Sequence, residues 1–463
     1  MHLDPILLSR LQFVWVIAFH ILLPAFTVGL ASYVAFVEGL AYFTGKPVYS
    51  RISNFWIRIF AVAFGMGVVS GIIMPFQFGT NWSRFSDATA NVISPLLAYE
   101  GLTAFFLEAT FLGVLLFGRS LVPRWVHFLA AIMVAIGTLS SSFWILAANS
   151  WMQTPAGYEI VDGRFFATDW WAVIFNPSFL YRLFHTVTAF YVTTATLVLG
   201  IAAWLVRDGK FVDEGRRVMS HALWILLILV PTQIVLGDLQ GGNTRQYQPT
   251  KLAVMEGRYQ TAAPAPLVLF GVPNSTTQHM DYEVSIPRLG SILLTHSLNG
   301  PVQGLADWPV DQRPPMAPPF YAFRIMVGAG VALLGLAVVG NLLRRDGRFA
   351  TTGWFLRLCQ WASPLGFVAV IAGWVTTEVG RQPWTVFGLM RTADSVSPSL
   401  TGANVVLSFL GYVIVYMLIF PAGFIVMRRI VRQGPRDVPT EPIQAGKAAA
   451  PVVGLPIPTG AAE

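Results

Sequence analysis

Nine long apolar runs set the limits on what this chain can fold into. A helix needs about 20 apolar residues to cross a bilayer core. Residues 11–36, 55–76, 94–117, 125–148, 179–206, 222–238, 319–343, 356–379 and 405–427 each qualify, the sixth being the shortest and ending in Gly237-Asp238. Little is left for a water-facing surface: 55% of the 463 residues are apolar and 11% are charged, where a soluble domain carries about 25% charged residues. That balance excludes most cytosolic enzymes, nucleic-acid binders and disordered scaffolds. The expected fold is an all-α integral membrane protein of about nine transmembrane helices.

A net charge of +7 and a pI near 9.6 would suit nucleic acid if the basic residues formed one patch. They lie instead in short clusters between the apolar runs. With the N-terminus placed outside, the inside loops hold Lys46, Arg51 and Arg58; Arg119 and Arg124; Arg207, Lys210, Arg216 and Arg217; Arg344, Arg345, Arg348 and Arg357; and Arg428, Arg429, Arg432 and Arg436. These are 17 of the 30 Lys and Arg, against six (Arg10, Arg84, Arg164, Arg182, Arg381 and Arg391) in the short outside segments. Positive-inside bias therefore predicts an outside N-terminus and a cytoplasmic C-terminus. Met1 to Arg10 lacks a basic n-region with a cleavage site, so the first run is expected to remain as a helix. The single Cys359 excludes an internal disulfide, a Cys-based zinc site and an iron–sulfur cluster.

Four regions follow. Residues 1–238 hold the first six helices and 319–436 the last three. Between them, 239–318 is a polar, Pro- and Gly-rich outside connection, too long for a simple link. Residues 437–463 are Pro, Ala and Gly with little else, and are expected to be a disordered cytoplasmic tail.

Ionisable groups inside a span are costly, so each is a functional candidate. They are His20 on the first run, Glu100 and Glu108 on the third, His185 on the fifth, Arg324 near the outer end of the seventh, and Glu378 with Arg381 at the outer end of the eighth. A single membrane His can serve simply as a hydrogen-bonding group between helices; two, in a chain with seven His, weigh against that. Haem iron accepts His nitrogen and Met sulfur, and Met326 follows Arg324 by two residues where an Arg could meet a haem propionate, although Met is usually core filler. Glu100 and Glu108 stand about 12 Å apart along the helix axis and about 80° apart around it. They make either a stepped proton route or two structural carboxylates. Trp374, Glu378 and Arg381 share a face if their helix persists, as a catalytic cluster or as a helix-end salt bridge with an interfacial Trp. His127 and His221, beside Arg124 and Arg217, read as interfacial.

Several segments carry a resemblance. They are Leu8-Ser9-Arg10-Leu11-Gln12-Phe13, Phe76-Gln77-Phe78-Gly79-Thr80-Asn81-Trp82, Glu100-Gly101-Leu102 and Ala104-Phe105-Phe106-Leu107-Glu108. Further on come Trp144-Ile145-Leu146-Ala147-Ala148-Asn149, Trp151-Met152-Gln153, His185-Thr186-Val187, Thr250-Lys251-Leu252-Ala253, Tyr321-Ala322-Phe323-Arg324-Ile325-Met326 and Gly380-Arg381-Gln382-Pro383-Trp384. With this His placement in a nine-span chain, they resemble subunit I of a cytochrome bd-type quinol oxidase from residue 8 to about Arg436. The resemblance implies two haem b and one haem d, or a third haem b in place of d. It implies His185 and Met326 as the axial pair of the low-spin haem b, with Arg324 at its propionates and Arg10 among the cofactor-binding residues. His20 and Glu378 would ligate the two high-spin haems, their pairing left open. Glu100 and Glu108 match carboxylates near the di-haem site and on the proton path, Trp374 and Arg381 residues beside the haems, and Lys251 and Glu256 the quinol site in the 239–318 loop. The implied partners are quinol (ubiquinol or menaquinol), O₂, membrane lipid, a second multi-span subunit and a small single-span one, with no nucleic acid, in a bacterial cytoplasmic membrane.

Two features depart from the best-known members. The quinol loop is short, the type often described as cyanide-insensitive, and Pro75 stands where some members carry an acidic residue. The activity implied is quinol oxidation with reduction of O₂ to water, forming a proton gradient without a pump. A haem–copper oxidase would need more well-placed His, and a b-type cytochrome of a quinol–cytochrome c reductase would need two His pairs on two helices. The rival from another class is a proton-coupled secondary transporter using Glu100 and Glu108. It predicts an inverted repeat and broken midspan helices, and it leaves His185, Met326 and the Glu378–Trp384 run without a role.

Overall fold

The computed structural model describes residues 4–436; the expected tail, 437–463, lies outside the described residues. Among the described residues, nine helices are long and apolar enough to span a membrane: α1 (Pro5–Thr44), α2 (Pro47–Thr80), α3 (Ser83–Ser120), α4 (Arg124–Gln153), α5 (Phe179–Asp208), α6 (Val212–Tyr247), α7 (Ala317–Arg345), α8 (Gly353–Val379) and α9 (Gly402–Gln433). The chain begins α1 with Asp4, whose carboxylate accepts from the Ile6 amide, and Pro5, whose missing N–H costs nothing there. Gly45, at φ +66°, ends the helix in a left-handed conformation that favours glycine.

Helices α5, α6, α7 and α8 close into a four-helix group, with α5 against α6, α6 against α7, α7 against α8 and α8 back against α5. Helix α1 packs on α2, α4 and α5, α3 lies against α4, and α9 rests on α1 and α2 at the rim. Small residues at crossings let backbones approach, as membrane helices require. The core runs through Leu30, Ile52, Phe60, Val198, Leu223 and Phe355. Helix α9 instead leaves Leu407, Leu410, Leu418, Phe424 and Ile425 exposed along its length.

Two local departures bear on the site. The sixth helix, expected to be the shortest, runs for 36 residues to Tyr247. Gly237-Asp238 ends the apolar run but not the helix, because the backbone ladder continues through polar residues. The connection beyond it is folded. It carries the short helix Pro249–Glu256, an antiparallel hairpin pairing Leu267–Asn274 with His279–Ile286, and the helix Leu289–Thr295. In α3, residues Gly101–Phe105 form a π-helical turn. Such a turn takes in one extra residue, about 100° of rotation. The offset of about 80° expected between Glu100 and Glu108 thereby falls to about 20°.

Helix ends alternate between an Arg-rich end (Lys46, Arg119, Arg124, Arg207, Arg344) and an opposite end. At the Arg-rich end His127 stands in the first turn of α4, beside Arg124 as expected. It is buried, its Nδ1 3.2 Å from Glu38 Oε2 and its Nε2 3.0 Å from the Leu115 carbonyl. Ser53 and Arg119 donate to the same Glu38 carboxylate. Glu38, just past the first apolar run, is thus the partner that ties His127 and Arg119 to α1.

Candidate functional site

The opposite end of the four-helix group holds one continuous polar network. Glu378, on the last turn of α8, accepts from Arg381 at 2.6 Å, from Asn149 of α4 at 3.1 Å and from Gln153 of α4 at 3.3 Å. Asn149 and Gln153 are i and i+4, so one face of α4 presents both amides. Gln153 Oε1 in turn accepts from Lys251 Nζ at 2.6 Å and from Gln248 Nε2 at 3.0 Å, while Lys251 also donates to Gln248 Oε1 at 2.7 Å. Arg182, on the first turn of α5, donates to Asn149. Gly380 is required here by close approach: a Cβ would stand 2.8 Å from Lys251 Cγ and 2.5 Å from the Thr376 carbonyl.

The charges in this network do not balance. Three cations, Arg182, Lys251 and Arg381, surround one carboxylate. Arg182 Nε and Arg381 Nε and Nη1 are sealed from solvent with no hydrogen-bond partner. Buried donors of this kind are nearly always satisfied, and a charged one left unmade costs more than a neutral one. The network therefore fits additional anionic oxygen, of the kind haem propionates carry. Burial, with Arg182 close by, pushes the Lys251 amine well below its ordinary range, against the pull of Glu378.

The candidate axial ligands lie on neighbouring helices. His185 on α5 has both ring nitrogens near Gln233 Nε2 of α6, at 3.3 and 3.2 Å, and its Cε1 lies 3.5 Å from where a Cβ on Gly237 would stand. Met326 on α7 places its sulfur 3.0 Å from the corresponding point at Gly373 on α8. Arg182 precedes His185 by three residues and shares its face. His20 on α1 meets Ser70 Oγ of α2 at 2.9 Å. The His–Met–Glu set matches the donors that hold haem iron, with the carboxylate the unusual member.

Not every expected residue joins this network. Arg324, expected beside propionates, directs its guanidinium to main-chain carbonyls of Leu269, Met255, Phe320 and Val268, at 3.1, 2.8, 2.9 and 2.5 Å. It fastens the hairpin and the short helix to α7. Lys251 and Glu256 are five residues apart on that helix, about 140° around it, and they face different surroundings. Glu256 is buried toward Arg324 and Arg258, with Oε2 unpartnered. Burial raises its carboxyl above the ordinary range, although both arginines pull the other way. Arg10 is half-buried near the start of α1 and Trp374 half-buried on α8, both outside the hydrogen-bonded network among the described residues.

On α3, Glu100 accepts from Ser141 Oγ at 2.8 Å, and Glu108 lies against Gly137, where a Cβ would come within 2.5 Å of its Cγ. Gly137 and Ser141 are i and i+4 on α4, so the π-helical turn has set both carboxylates against one face of α4. Four network residues are not among the candidates that the sequence singles out. Arg182 reads as an outside-segment charge by topology, although its position three before His185 is a usable signal. Asn149 and Gln153 stand in segments that carry the resemblance but imply no role for them, and Gln248 carries no signal.

The sequence matches the family model described as cytochrome bd terminal oxidase subunit I over residues 8–435. It is 33% identical over 442 residues to cytochrome bd ubiquinol oxidase subunit 1 of Bacillus subtilis (strain 168), covering 93% of this chain and 94% of that protein. It is 32% identical over 506 residues to cytochrome bd-II ubiquinol oxidase subunit 1 of Escherichia coli (strain K12), covering 95% and 98%. The fold matches the structure of bd oxidase from Geobacillus thermodenitrificans with a TM-score of 0.87 and 32% identity, over 94% of this chain and 99% of that one. The transporter reading falls with these matches. The protein is a multi-pass protein of the bacterial cytoplasmic membrane. Fold and sequence agree: the chain belongs to the cytochrome bd terminal oxidase subunit I family, and haem-dependent quinol:O₂ oxidoreduction is its activity.

Proposed function

We propose that this chain oxidises quinol beside the short helix Pro249–Glu256 and supports O₂ reduction at Glu378, forming a proton gradient without a pump. The observation that carries the reading is the Glu378 network, with three buried cations around one carboxylate and buried guanidinium donors left for a further anion. When bound, haem supplies the electron carriers and the iron at which O₂ reacts. The complement proposed is two haem b and one haem d, or a third b in place of d. His185 and Met326 would hold the low-spin haem b, and His20 and Glu378 the two high-spin haems. Arg381 and Arg182 would face propionates, while Arg324 anchors the loop and Arg10 and Trp374 stand beside the cofactors.

Glu256, with one oxygen free and its carboxyl raised by burial, is suited to accept a proton from the quinol hydroxyl. Lys251 ties the quinol-side helix to Glu378 through Gln153. Glu100 and Glu108 would hold protons stepped along α3 toward the haem-bearing end. The proposed orientation has the N-terminus and the 239–318 loop outside and the Arg-rich end in the cytoplasm. Protons from quinol then leave outside and those consumed with O₂ enter from inside. Subunit II and a small single-span subunit would complete the assembly. The quinol is ubiquinol or menaquinol; both relatives described above are named for ubiquinol.

The test is a dithionite-reduced minus air-oxidised spectrum of membranes holding this chain with its partner subunit, repeated with CO. Low-spin b bands and a CO-sensitive high-spin haem are expected, and a far-red band would identify haem d. Well-folded protein without haem would overturn the reading.

A further inference from the structure

Arg182 has two faces and only one of them is used. Its Nη2 donates to Asn149 Oδ1, and Asn149 Nδ2 donates to Glu378 Oε1 at 3.1 Å. Its Nε is closed off from solvent and has no partner. The contrast with Arg324 is instructive, since the nitrogens of that guanidinium are spent on four carbonyls. A guanidinium offers five N–H donors in a rigid fork matched to carboxylates. Arg182 also sits one helical turn before His185 on the same face of α5. It therefore stands between the low-spin ligand position and the Glu378 network, within electrostatic range of both Glu378 and Arg381.

We propose that Arg182 is a positioning residue that clamps two sites at once. Its Nε face takes a carboxylate of the low-spin haem, and its Nη2, through Asn149, holds the Glu378 carboxylate in place for the neighbouring haem. The inference rests on the haem assignment proposed above and adds to Arg182 a second role, the hold on Glu378 through Asn149. A cation at this point stabilises the reduced, less positive form of a nearby haem, so its removal moves the midpoint potential downward. Loss of the Asn149 contact also loosens Glu378, which lowers occupancy of the high-spin site it serves.

Both effects are read without turnover. The assembled oxidase, carrying Arg182→Gln or Arg182→Lys, is titrated spectropotentiometrically, and haem per protein is measured after extraction. Arg182→Gln is expected to keep the low-spin band shape, because His185 and Met326 remain, while its midpoint shifts negative and high-spin haem is lost. Arg182→Lys keeps the charge, so most of the midpoint shift is rescued, but one ammonium cannot serve both faces and high-spin haem still falls. If Arg182→Gln does not accumulate, Asn149→Asp replaces it: a carboxylate against Arg182 neutralises the cation and produces the same negative shift. A full haem complement with unshifted midpoints in Arg182→Gln, or an unshifted midpoint in Asn149→Asp, would overturn the proposal. Absence of haem from the unmodified oxidase would instead remove the reading beneath it.

Discussion

Lys251 and Glu378 are joined through a single amide: Gln153 Oε1 accepts from the lysine at 2.6 Å and Gln153 Nε2 donates to the carboxylate at 3.3 Å. The lysine belongs to the connection between α6 and α7 and the carboxylate to the end of α8, so the bridge couples the loop to the four-helix group. Gln153→Leu leaves the buried amine and the carboxylate each short of a partner, at a cost of about 1–3 kcal/mol. The expected result is roughly a tenfold or greater fall in quinol oxidase activity, a lower melting temperature and loss of high-spin haem, with the low-spin spectrum kept. Activity and haem content unchanged in Gln153→Leu would show that the bridge has no part in the site.

The axial pair is tested from its sulfur side. Met326→Leu conserves volume, so the fold should lose less than about 1.5 kcal/mol. Leucine offers no donor to iron. The low-spin ferrous spectrum should disappear while the protein still assembles and sediments as before. Persistence of an unchanged low-spin spectrum would remove Met326 from the ligand set.

Glu256 gives a pH prediction with a definite sign. Its carboxyl is held above the ordinary range by burial, so the carboxylate that accepts a proton accumulates only at higher pH than for a free Glu, about 4.3. The acid limb of kcat/KM for quinol should therefore lie above that value and rise with pH. Glu256→Gln should abolish that limb and cut kcat/KM by about 10²–10⁴, with haem spectra intact. A profile in Glu256→Gln that keeps its acid limb would assign the titration to another group.

The nine spans were legible because a bilayer leaves a composition signal about 20 residues long, and the membrane-buried ionisable residues were legible because so few exist. The network around Glu378 was legible only at its charged ends. Amides such as Asn149 and Gln153 carry no charge and lie just past the fourth apolar run, so they are not among the costly ionisable groups of the spans, and their role appears only when α4 is seen to bring both against Glu378. Arg182 is concealed by its own charge, which by the positive-inside rule places it among the outside-segment residues. The π-helical turn was not legible either. Gly101–Phe105 reads as ordinary helix in composition, and its effect, a rotation of Glu108 relative to Glu100, exists only in three dimensions.

That rotation supplies the sharpest test of the proton route. Glu108 fits against α4 because residue 137 is glycine; a methyl there would lie 2.5 Å from Glu108 Cγ and 3.4 Å from the Ala104 carbonyl. Gly137→Ala must displace the Glu108 side chain, since a Cβ cannot stand 2.5 Å from its Cγ, while the carbonyl lies at ordinary contact distance. If Glu108 carries protons from this position, Gly137→Ala should slow O₂ consumption about as much as Glu108→Gln does, leaving quinol-reduced haem spectra unchanged in both. The control lies on α3 itself: Gly113 has open space around it, and Gly113→Ala should leave turnover unaffected and raise stability by about 0.5–1 kcal/mol. Equal rates in Gly137→Ala and Gly113→Ala would mean that the Glu108 carboxylate has no positional role. A loss confined to Gly137→Ala and Glu108→Gln would place the route at the α3–α4 contact.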